Sequence, residues 1–268
     1  MKYKDFIKDL LLNYKISIII LGILKKILSF FDRVEYFYLE SKLRKNSVVR
    51  TGPFEGLKYP FVKSYGSVFW PKITGVYESQ LQKHISNFKK KNYDKIINIG
   101  AGEGYYAVGL ALMFPRSKIL AIDINKDALN FVFDMAKLNN VHDRIVLNDN
   151  SEKMFDLINP NSRNLIICDC EGAEFKIFNE DHAKIFKNSD IIVEMHYPEN
   201  MKDCSIIRKD FIKKLRNNHE VIVEKHERNY LEDFEFLQNL PIKYAKKFIH
   251  ENREYNQEWL IFYSETKK

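Results

Sequence analysis

Residues 95–104 read KIINIGAGEG, and residues 118–123 read KILAID. The first stretch is a short apolar run that ends in glycine, which is typical of a buried strand leading into a tight turn. Residues 105–114 between them are apolar almost all round, so they predict a buried helix that ends at Pro115. The second stretch predicts another buried strand. A strand, a glycine turn, a helix and a second strand are the beginning of a parallel α/β sheet.

The same alternation of strands and helices continues to the end of the chain. Helices are predicted at residues 126–139 and 203–216, with a broken helix at 173–186. Strands are predicted at residues 144–147, 164–169, 190–194, 220–224 and 258–263. We therefore expect an α/β fold, a Rossmann-like seven-stranded and mostly parallel sheet with helices on both faces. Ligands of such sheets bind beyond the carboxyl ends of the strands, so the residues that close strands are the candidates for a site.

The residues before this pattern form a different part of the chain. Residues 1–45 predict a helical extension, and residues 46–75 carry turn signals around short β-like runs. We expect an N-terminal extension over 1–74 and a main domain over 75–268. The apolar run at 16–24 is shorter than the roughly 20 residues of a membrane-spanning helix. Three interpretations of residues 1–31 stay open. They pack on the main domain or on a second subunit of a homo-oligomer, they lie on a membrane surface as a basic amphipathic helix, or they form a true membrane anchor.

The overall charge and the cysteines limit the class of partner and the compartment. The net charge is +7, from 43 Lys and Arg against 36 Asp and Glu, and the two signs are interspersed along the chain. Nucleic acid is therefore not favoured as the main partner, and a lysine-rich solvated surface is the simpler interpretation. The three cysteines, Cys168, Cys170 and Cys204, form no disulfide framework or zinc spacing. They suit a reducing compartment and predict a cytoplasmic protein.

The glycine turn and the acid that closes the second strand predict a nucleotide-like ligand. Gly100, Gly102 and Gly104 allow a sharp turn and a close approach of the ligand to the backbone. The helix that follows favours a ligand carboxylate, such as the methionyl end of a cofactor. Asp123 lies about 20 residues further on, where it can accept two ribose hydroxyls. Two alternatives are a structural turn with an incidental surface aspartate, and a nicotinamide dehydrogenase, which the G-x-G-x-G spacing disfavours.

Residues 97–104, INIGAGEG, resemble the first motif of class I S-adenosylmethionine-dependent methyltransferases. The resemblance implies that the glycine loop holds the methionyl part, that Asp123 holds the ribose, and that Asp149 or Asn150 meets the adenine edge. Asn98 stands where members often have an acid facing the methionyl ammonium. The resemblance also implies a seventh strand that lies antiparallel between the fifth and the sixth. The full set of cofactor-binding residues predicted in this way is Tyr77, Glu78, Asn98, Gly100, Gly102, Glu103, Gly104, Asp123, Ile124, Asp149, Asn150 and Asp169.

Three further stretches resemble the FkbM-type methyltransferases in the order of that family. Residues 168–174, CDCEGAE, are similar to its D-x-E-G-x-E signature; residues 194–196, EMH, to its E-x-H element; and residues 75–78, GVYE, to its G-x-Y-E element. This family mostly methylates hydroxyls of sugars and natural products, which implies an O-methyltransferase of a saccharide or similar polyhydroxylated molecule. The alternatives are an RNA or protein methyltransferase and a non-catalytic scaffold. Residues 169–172, DCEG, occupy the place of the [DN]-P-P-[YFW] motif used for amino groups of bases.

A sugar hydroxyl needs help to lose its proton, from a general base or a metal ion. His196 is the first candidate for the base because its ordinary pKa lies nearest neutral pH, and Asp169 is the second, as base or substrate clamp. Glu171 and Glu194 complete the predicted catalytic set. The alternatives are an edge histidine at 196 and, for Glu171 and Glu174, a favourable charge at a helix start. A magnesium ion held by Asp169 and Glu194 is another alternative that we do not favour.

Overall fold

The structure is a computed structural model that describes residues 2–45, 47–150, 152–198, 204–216, 219–226, 235–238, 241–253 and 257–265. The chain forms two compact units. The sheet unit comprises residues 47–230 and 248–268, and the helical unit comprises residues 1–46 and 231–247.

The sheet unit contains a seven-stranded sheet. Its strands are β1 (Lys95–Ile99), β2 (Lys118–Ile122), β3 (Ile145–Asn148), β4 (Asn164–Cys168), β5 (Ser189–Met195), β6 (His219–Lys225) and β7 (Glu258–Ser264). The strand order is β3-β2-β1-β4-β5-β7-β6. Strands β1 to β5 pair in parallel, whereas β7 is antiparallel to both β5 and β6. The predicted fold, including the placement of the last strand, is therefore confirmed.

The helices of the chain follow the predicted alternation. They are α1 (Lys2–Lys45), α2 (Phe69–Thr74), α3 (Gln82–Phe88), α4 (Tyr105–Met113), α5 (Lys126–Leu138), α6 (Glu174–Ile177), α7 (Ser205–Leu215), α8 (Glu235–Gln238) and α9 (Ile242–Ile249). Short 3₁₀ helices lie at Ser79–Leu81, His142–Arg144 and Glu152–Leu157. Helix α5 begins where the Asn125 side chain accepts hydrogen bonds from the N–H groups of Asp127 and Ala128. Such a cap satisfies N–H groups that the first turn of a helix leaves free.

The core lies along the strands that the sequence marks as apolar runs. Every residue of β4 and β5 is buried, as expected for parallel strands that are covered on both faces. Ile97 and Ile99 of β1 pack in one cluster with Phe178, Phe186 and residues of β2, β4, β5, α7 and β7. Burial of each such side chain stabilises the fold by about 1.5–3 kcal/mol. This rigid core sets the positions of the strand ends, where the candidate site lies.

The segment before the main domain differs from the sequence-based expectation. The β-like runs expected over residues 46–75 are not strands in the described residues 47–75, where an isolated bridge pairs Val48 with Lys58. Phe54 and Leu57 of this segment are buried, and a Cβ on Gly109 of α4 would lie 2.6 Å from the Phe54 ring. The unit boundary therefore falls between residues 46 and 47 instead of 74 and 75. Local turn signals do not reveal that Phe54 packs on α4, because this contact joins residues far apart in the chain.

The helical unit confirms the predicted helix over residues 1–45. Tyr36 of α1 stacks on Tyr244 of α9, with ring centroids 4.9 Å apart. The carboxylate of Glu40 in α1 forms ion pairs with Arg44 at 2.7 Å and with Lys247 at 3.6 Å. In the described part of the chain, no helix combines the length and the apolar composition that crossing a membrane requires.

Candidate active site

The glycine turn after β1 brings the ends of β1 and β4 into close contact. Gly100 has a φ of +74°, and a Cβ at this position would lie 1.5 Å from the carbonyl oxygen of Asp169. Gly104 has a φ of +99° and lies at the start of α4, where a Cβ would meet Val132 at 3.3 Å. Both positions need glycine, because a side chain would be strained by the backbone and would clash with a neighbouring element. The turn therefore places Asp169 beside the glycine loop.

Asp123 ties the end of β2 to this turn. Its Oδ2 accepts a hydrogen bond of 2.8 Å from the N–H of Gly102, and its Oδ1 accepts one of 2.8 Å from the N–H of Asn125. Each carboxylate oxygen has a second lone pair that can accept a ligand hydroxyl. Two backbone N–H groups thus hold the carboxylate of Asp123 beside the glycine turn.

A crevice of about 330 Å³ opens at the carboxyl ends of β1, β2 and β4. Its walls combine apolar side chains with a small number of polar groups, which is the composition of a small-molecule site. The residues that line it are Tyr65, Gly66, Ser67, Lys72, Tyr77, Ile99, Gly100, Ala101, Gly102, Glu103, Tyr105, Tyr106, Ile122, Asp123, Ile124, Asn125, Ala128, Asp169, Cys170, Glu171, Ala173 and Ile177.

A buried ion pair holds residues 64–67 over the glycine turn. Glu103 accepts hydrogen bonds from Ser64 Oγ at 2.9 Å and from the N–H of Tyr65 at 2.9 Å, and it pairs with Lys72 Nζ. Lys72 Nζ also donates to Ser67 Oγ at 2.6 Å. Burial acts to raise the pKa of Glu103, but the ammonium of Lys72 outweighs it, so the pKa is lowered. Glu103 is therefore a charged anchor for this side of the crevice.

His196, which follows β5, lies at the centre of a cluster of carboxylates. Its Nδ1 is 2.8 Å from Oε1 of Glu174, and its Nε2 is 3.7 Å from Oδ1 of Asp169 and 3.5 Å from Oε2 of Glu171. The Glu174 side chain is fully buried at the start of α6. Burial acts to raise its pKa, but the hydrogen bond with His196, the backbone hydrogen bonds and the charge of His196 together outweigh burial, so the pKa is lowered. An ionised carboxylate only accepts hydrogen bonds, so Nδ1 of His196 must carry the proton. In the neutral ring, Nε2 is then the basic nitrogen, and it faces Asp169 and Glu171.

The surroundings of this cluster raise the pKa values of Asp169 and His196. Burial, assisted by the negative charge of Glu78, raises the pKa of Asp169 to about 6, against the opposing effect of His196 and Arg253. Burial acts to lower the pKa of His196, but its hydrogen bond to Glu174 and the nearby carboxylates outweigh burial, so the pKa is raised. Asp169 and His196 can therefore exchange a proton with a ligand close to neutral pH.

Arg253 connects the cluster to the Tyr77–Glu78 dipeptide. Its guanidinium donates to Tyr77 Oη at 2.7 Å, pairs with both Glu78 and Glu194, and donates from Nε to Glu251 at 3.1 Å. Burial and the negative charge of the Asp169 cluster raise the pKa of Glu194, although Arg253 acts against this shift. Glu194 therefore contacts a protein cation, and Arg253 is a component that the sequence patterns did not reveal.

A family model described as the TRM5/TYW2 methyltransferase domain matches residues 61–226, which is more than half of the chain. The chain belongs to the TRM5/TYW2 methyltransferase domain family. This TRM5/TYW2-family protein is thus an S-adenosylmethionine-dependent methyltransferase, which confirms the class of enzyme that the glycine loop predicted. The matched range includes the glycine turn, Asp123 and the His196 cluster. The narrower resemblance to FkbM-type enzymes stays a prediction.

Solved structures that resemble this TRM5/TYW2-family protein include several methyltransferases. The O-methyltransferase TomG from Streptomyces achromogenes is 11% identical, with a TM-score of 0.45 over 67% of this chain and 77% of that one. An O-methyltransferase from Bacillus cereus is 12% identical, with a TM-score of 0.45 over 69% of this chain and 80% of that one. A putative rRNA-methylase from Clostridium thermocellum is 14% identical, with a TM-score of 0.44 over 71% of this chain and 97% of that one.

The crevice of the TRM5/TYW2-family protein fits S-adenosylmethionine. The glycine turn leaves no room for a Cβ at Gly100, and the carboxylate of Asp123 is held beside Gly102. A volume of about 330 Å³ lies in the range of small-molecule pockets. The backbone N–H groups of the turn would hold the methionyl carboxylate, and Asp123 would hold the ribose hydroxyls.

The structure brings most of the predicted site residues of this TRM5/TYW2-family protein together. Those that line the crevice are Tyr77, Gly100, Gly102, Glu103, Asp123, Ile124, Asp169 and Glu171. His196 does not line it, but its Nε2 faces Asp169 and Glu171, which do. Glu194 also lies outside the lining, because its carboxylate is turned toward Arg253.

Other predicted cofactor residues of the TRM5/TYW2-family protein lie away from the crevice lining, for identifiable reasons. Asn98 is buried in β1, and its side-chain N–H lies 3.5 Å from the Ile167 carbonyl. Glu78 is buried in the Arg253 network, and Gly104 packs beneath α5. Asp149 pairs with Lys126 at 3.3 Å, and Asn150 donates its N–H to the side chain of Asn148 at 2.9 Å. Neither Asp149 nor Asn150 lines the crevice.

Among the residues that the structure describes, two groups of side chains in the TRM5/TYW2-family protein could hold a metal ion. One comprises Asp169, Glu171 and His196, and the other comprises Glu78, Asp169 and Glu194; in each group the ligand atoms lie within 4.8 Å of one another. The second group contains the pair that the sequence suggested for magnesium. The guanidinium of Arg253 pairs with both Glu78 and Glu194, so this group already has a protein cation in place.

Several contributors to the site were missed at the sequence level. Tyr65 and Lys72 lie upstream of the predicted main domain, and Arg253 lies in an aromatic and acidic stretch without a motif. Glu174 belongs to the stretch at residues 168–174 that resembles the FkbM-type signature, but the local sequence does not predict its hydrogen bond to His196. The one signal that could have indicated Lys72 is its position in a turn-rich segment with Trp70 and Pro71, a segment too aromatic for a solvent-exposed linker.

Proposed function

We propose that this methyltransferase transfers a methyl group to a hydroxyl oxygen of a saccharide or a similar polyhydroxylated small molecule, with FkbM-type chemistry. The observation that carries the proposal is the orientation of His196. Glu174 fixes Nδ1 at 2.8 Å, and the basic Nε2 is directed at Asp169 and Glu171 beside the crevice. This is the arrangement of a general base that is held by a buried carboxylate.

The residues of the chain supply a route for the hydroxyl proton. Bound S-adenosylmethionine supplies an electrophilic methyl carbon on a sulfonium. Asp169 would orient the substrate hydroxyl by accepting its hydrogen bond, and Nε2 of His196 would take the hydroxyl proton. The methyl group would pass from the sulfonium sulfur to the oxygen, with the carbon–sulfur bond broken and S-adenosylhomocysteine as the leaving group. The carboxylates of Glu174 and Asp169 stabilise the resulting imidazolium. Holding the oxygen in line with the carbon–sulfur bond is the larger contribution to the rate, because it removes the entropic cost of alignment.

The charge around His196 favours a substrate rich in hydroxyls over a polyanion. Asp169 and Glu171 line the crevice, and Glu78 and Glu194 lie behind them. Carboxylates accept hydrogen bonds from hydroxyl groups and repel phosphates at the same distance. A neutral saccharide meets this mouth without an electrostatic penalty.

A second candidate is a tRNA methyltransferase, which the description of the matched family favours. The chain carries a net charge of +7, which could support contacts with phosphates away from the crevice. Transfer to RNA would be strongly salt-dependent, because each phosphate contact releases counterions. Transfer to a neutral saccharide would change little over the same range of salt.

The experiment that separates these candidates is methyl transfer from radiolabelled S-adenosylmethionine to a panel of acceptors. The panel contains free glycans, nucleotide sugars and unmodified tRNA transcripts, each at low and moderate salt, with and without a chelator. We expect label on the free glycans at both salt concentrations, and no loss with the chelator, because His196 acts as the base. Label on tRNA alone would refute the proposal in favour of the second candidate.

His196→Ala is expected to keep the affinity for S-adenosylmethionine but to lower kcat by at least about a hundredfold. His142→Ala, at an exposed histidine outside the site, is the matched control and should leave both kcat and the affinity unchanged.

Asp123→Ala should weaken S-adenosylmethionine binding by about tenfold or more, because it removes a charged acceptor. Isothermal titration calorimetry measures both affinities. Loss of binding in His196→Ala, or unchanged binding in Asp123→Ala, would contradict the assigned roles.

A further inference from the structure

An apolar face of helix α1 has no covering element among the described residues of the helical unit. Over residues 20–38, the apolar side chains at 20, 23, 27, 30, 31, 34 and 38 recur at helical spacing and are 45–69% exposed. At about 100° per residue they share one side of the helix. Leu24, Leu28 and Phe37 widen this side and are also exposed. We call this surface the apolar face of α1.

The opposite side of the same helix is the one that packs within the helical unit. Tyr36, Glu40 and Leu43 are buried, and Tyr36 stacks on Tyr244. The two sides differ by about half a turn of the helix. The helix is thus amphipathic, but its wider apolar side faces solvent, which is unusual for a folded protein without a partner surface.

Helix α1 also carries most of the net charge of the chain. It contains ten lysine and arginine residues against five acidic residues, and so supplies five of the seven net positive charges. Lys26 and Arg33 lie along one edge of the apolar face, and Lys25 lies on the side away from it. Two such helices from two copies would repel each other, whereas a negatively charged surface would attract each of them.

We propose that α1 docks on the surface of a bilayer that contains anionic lipids, with its apolar face buried among the acyl chains. Over residues 20–45, α1 has a broad apolar side with Phe and Leu that is interrupted by Glu35 and bordered by Lys26 and Arg33. A helix that lies in the interface needs such an apolar side with basic residues at its edge. Phe30, Phe31 and Phe37 supply large apolar rings, and Lys26 and Arg33 reach the headgroups from the edge. The methyltransferase would then act on substrates that are made or stored at a membrane.

The test is co-sedimentation of the full chain with vesicles of phosphatidylcholine, with and without phosphatidylglycerol. We expect binding to the anionic vesicles, weaker binding to the neutral ones, and release by salt. Lys26→Gln/Arg33→Gln should lower the partition coefficient by roughly fivefold for each charge removed. Phe30→Gln/Phe31→Gln/Val34→Gln should lower the partition coefficient by more than about a hundredfold. Each substitution removes the free energy that an apolar side chain gains when it moves from water into the acyl chains.

Ile206→Gln is the matched control, since Ile206 is 67% exposed on α7 of the sheet unit and should not alter vesicle binding. Circular dichroism and S-adenosylmethionine binding check that each variant is folded, and neither depends on the identity of the methylated substrate. Absence of vesicle binding by the wild-type chain would overturn the proposal. Equal binding by the Phe30→Gln/Phe31→Gln/Val34→Gln variant would also overturn it. A stable dimer that this variant dissociates, without vesicle binding, would identify a second copy as the occupant instead.

Discussion

At the scale of single residues, the site depends on one hydrogen bond between a buried carboxylate and a histidine. Glu174 has no exposed side-chain surface, and its Oε1 is 2.8 Å from Nδ1 of His196. This contact selects the tautomer that leaves Nε2 basic, and it contributes to the raised pKa of His196. Glu174 is therefore a positioning residue, which acts on the substrate through His196.

Glu174→Gln should shift the acidic limb of the pH profile of kcat/KM to lower pH. The carboxylate raises the pKa of His196, so its removal lowers that pKa, and the ring stays neutral at more acidic pH. The maximal rate should fall by about tenfold or more, because the imidazolium loses a buried counter-charge. Steady-state kinetics from about pH 5 to pH 9 measure both effects. A lower rate with an unmoved limb would indicate a purely structural role for Glu174.

At the scale of elements, the segment before the main domain closes one side of the crevice. The Lys72–Glu103 ion pair joins α2 to the glycine turn, and Ser64, Tyr65 and Ser67 are hydrogen-bonded to this pair. Both charges are almost fully buried, so each one requires the other. The closure of the crevice is thus coupled to the stability of the turn.

Lys72→Met should destabilise the fold by about 3–5 kcal/mol, because it leaves the carboxylate of Glu103 buried without its cation. Lys72→Met combined with Glu103→Gln should recover part of this loss, since no buried charge then lacks a partner. Affinity for S-adenosylmethionine should fall in the single variant as residues 64–67 detach. Lys58→Met, at an exposed lysine of the same segment, is the control. Urea denaturation and calorimetry test this, and a single variant as stable as the control would disprove the coupling.

At the scale of the whole molecule, Arg253 joins parts of the sheet unit that are far apart in the sequence. It contacts Tyr77 and Glu78 before α3, Glu194 of β5 and Glu251 after α9. Asp169 lies close to Glu78 and Glu194, so the mouth of the site gathers more carboxylates than its cations neutralise. One buried guanidinium compensates a large part of the charge that the proposed chemistry requires.

Arg253→Met should destabilise the fold by about 3–5 kcal/mol at neutral pH, and the loss should shrink as the pH falls. Without the guanidinium, the pKa of Glu194 in the folded state rises further above its unfolded value. A protonated carboxyl needs no cation, so the folded state recovers stability on acidification through that raised pKa. Urea denaturation from about pH 5 to pH 8 measures this, with Arg216→Met at an exposed arginine as control. A destabilisation independent of pH would argue against the electrostatic cause.

The fold and the cofactor side of the site could be predicted from local sequence, for a physical reason. Apolar runs of strand length and a helical stripe specify which segments are buried. Short connections and right-handed crossovers between parallel strands then leave few topologies. Gly100 marks a turn in which a Cβ would clash with the neighbouring strand end, and Asp123 closes the next strand beside it. The distance from Gly102 N–H to Asp123 Oδ2 is 2.8 Å, as that order of elements requires.

Only the tertiary structure decided which residues that lie far apart in the chain contact one another. Arg253 lies 175 positions from Glu78, and Lys72 lies 31 positions from Glu103; no spacing rule connects either pair. The partner of a side chain at a strand end also depends on which neighbours the fold brings near, and Asp149 pairs with Lys126 and does not line the crevice. The exposure of the apolar side of α1 is decided in the same way. Periodicity shows that a helix has an apolar side, but only the packed structure shows whether another element covers it.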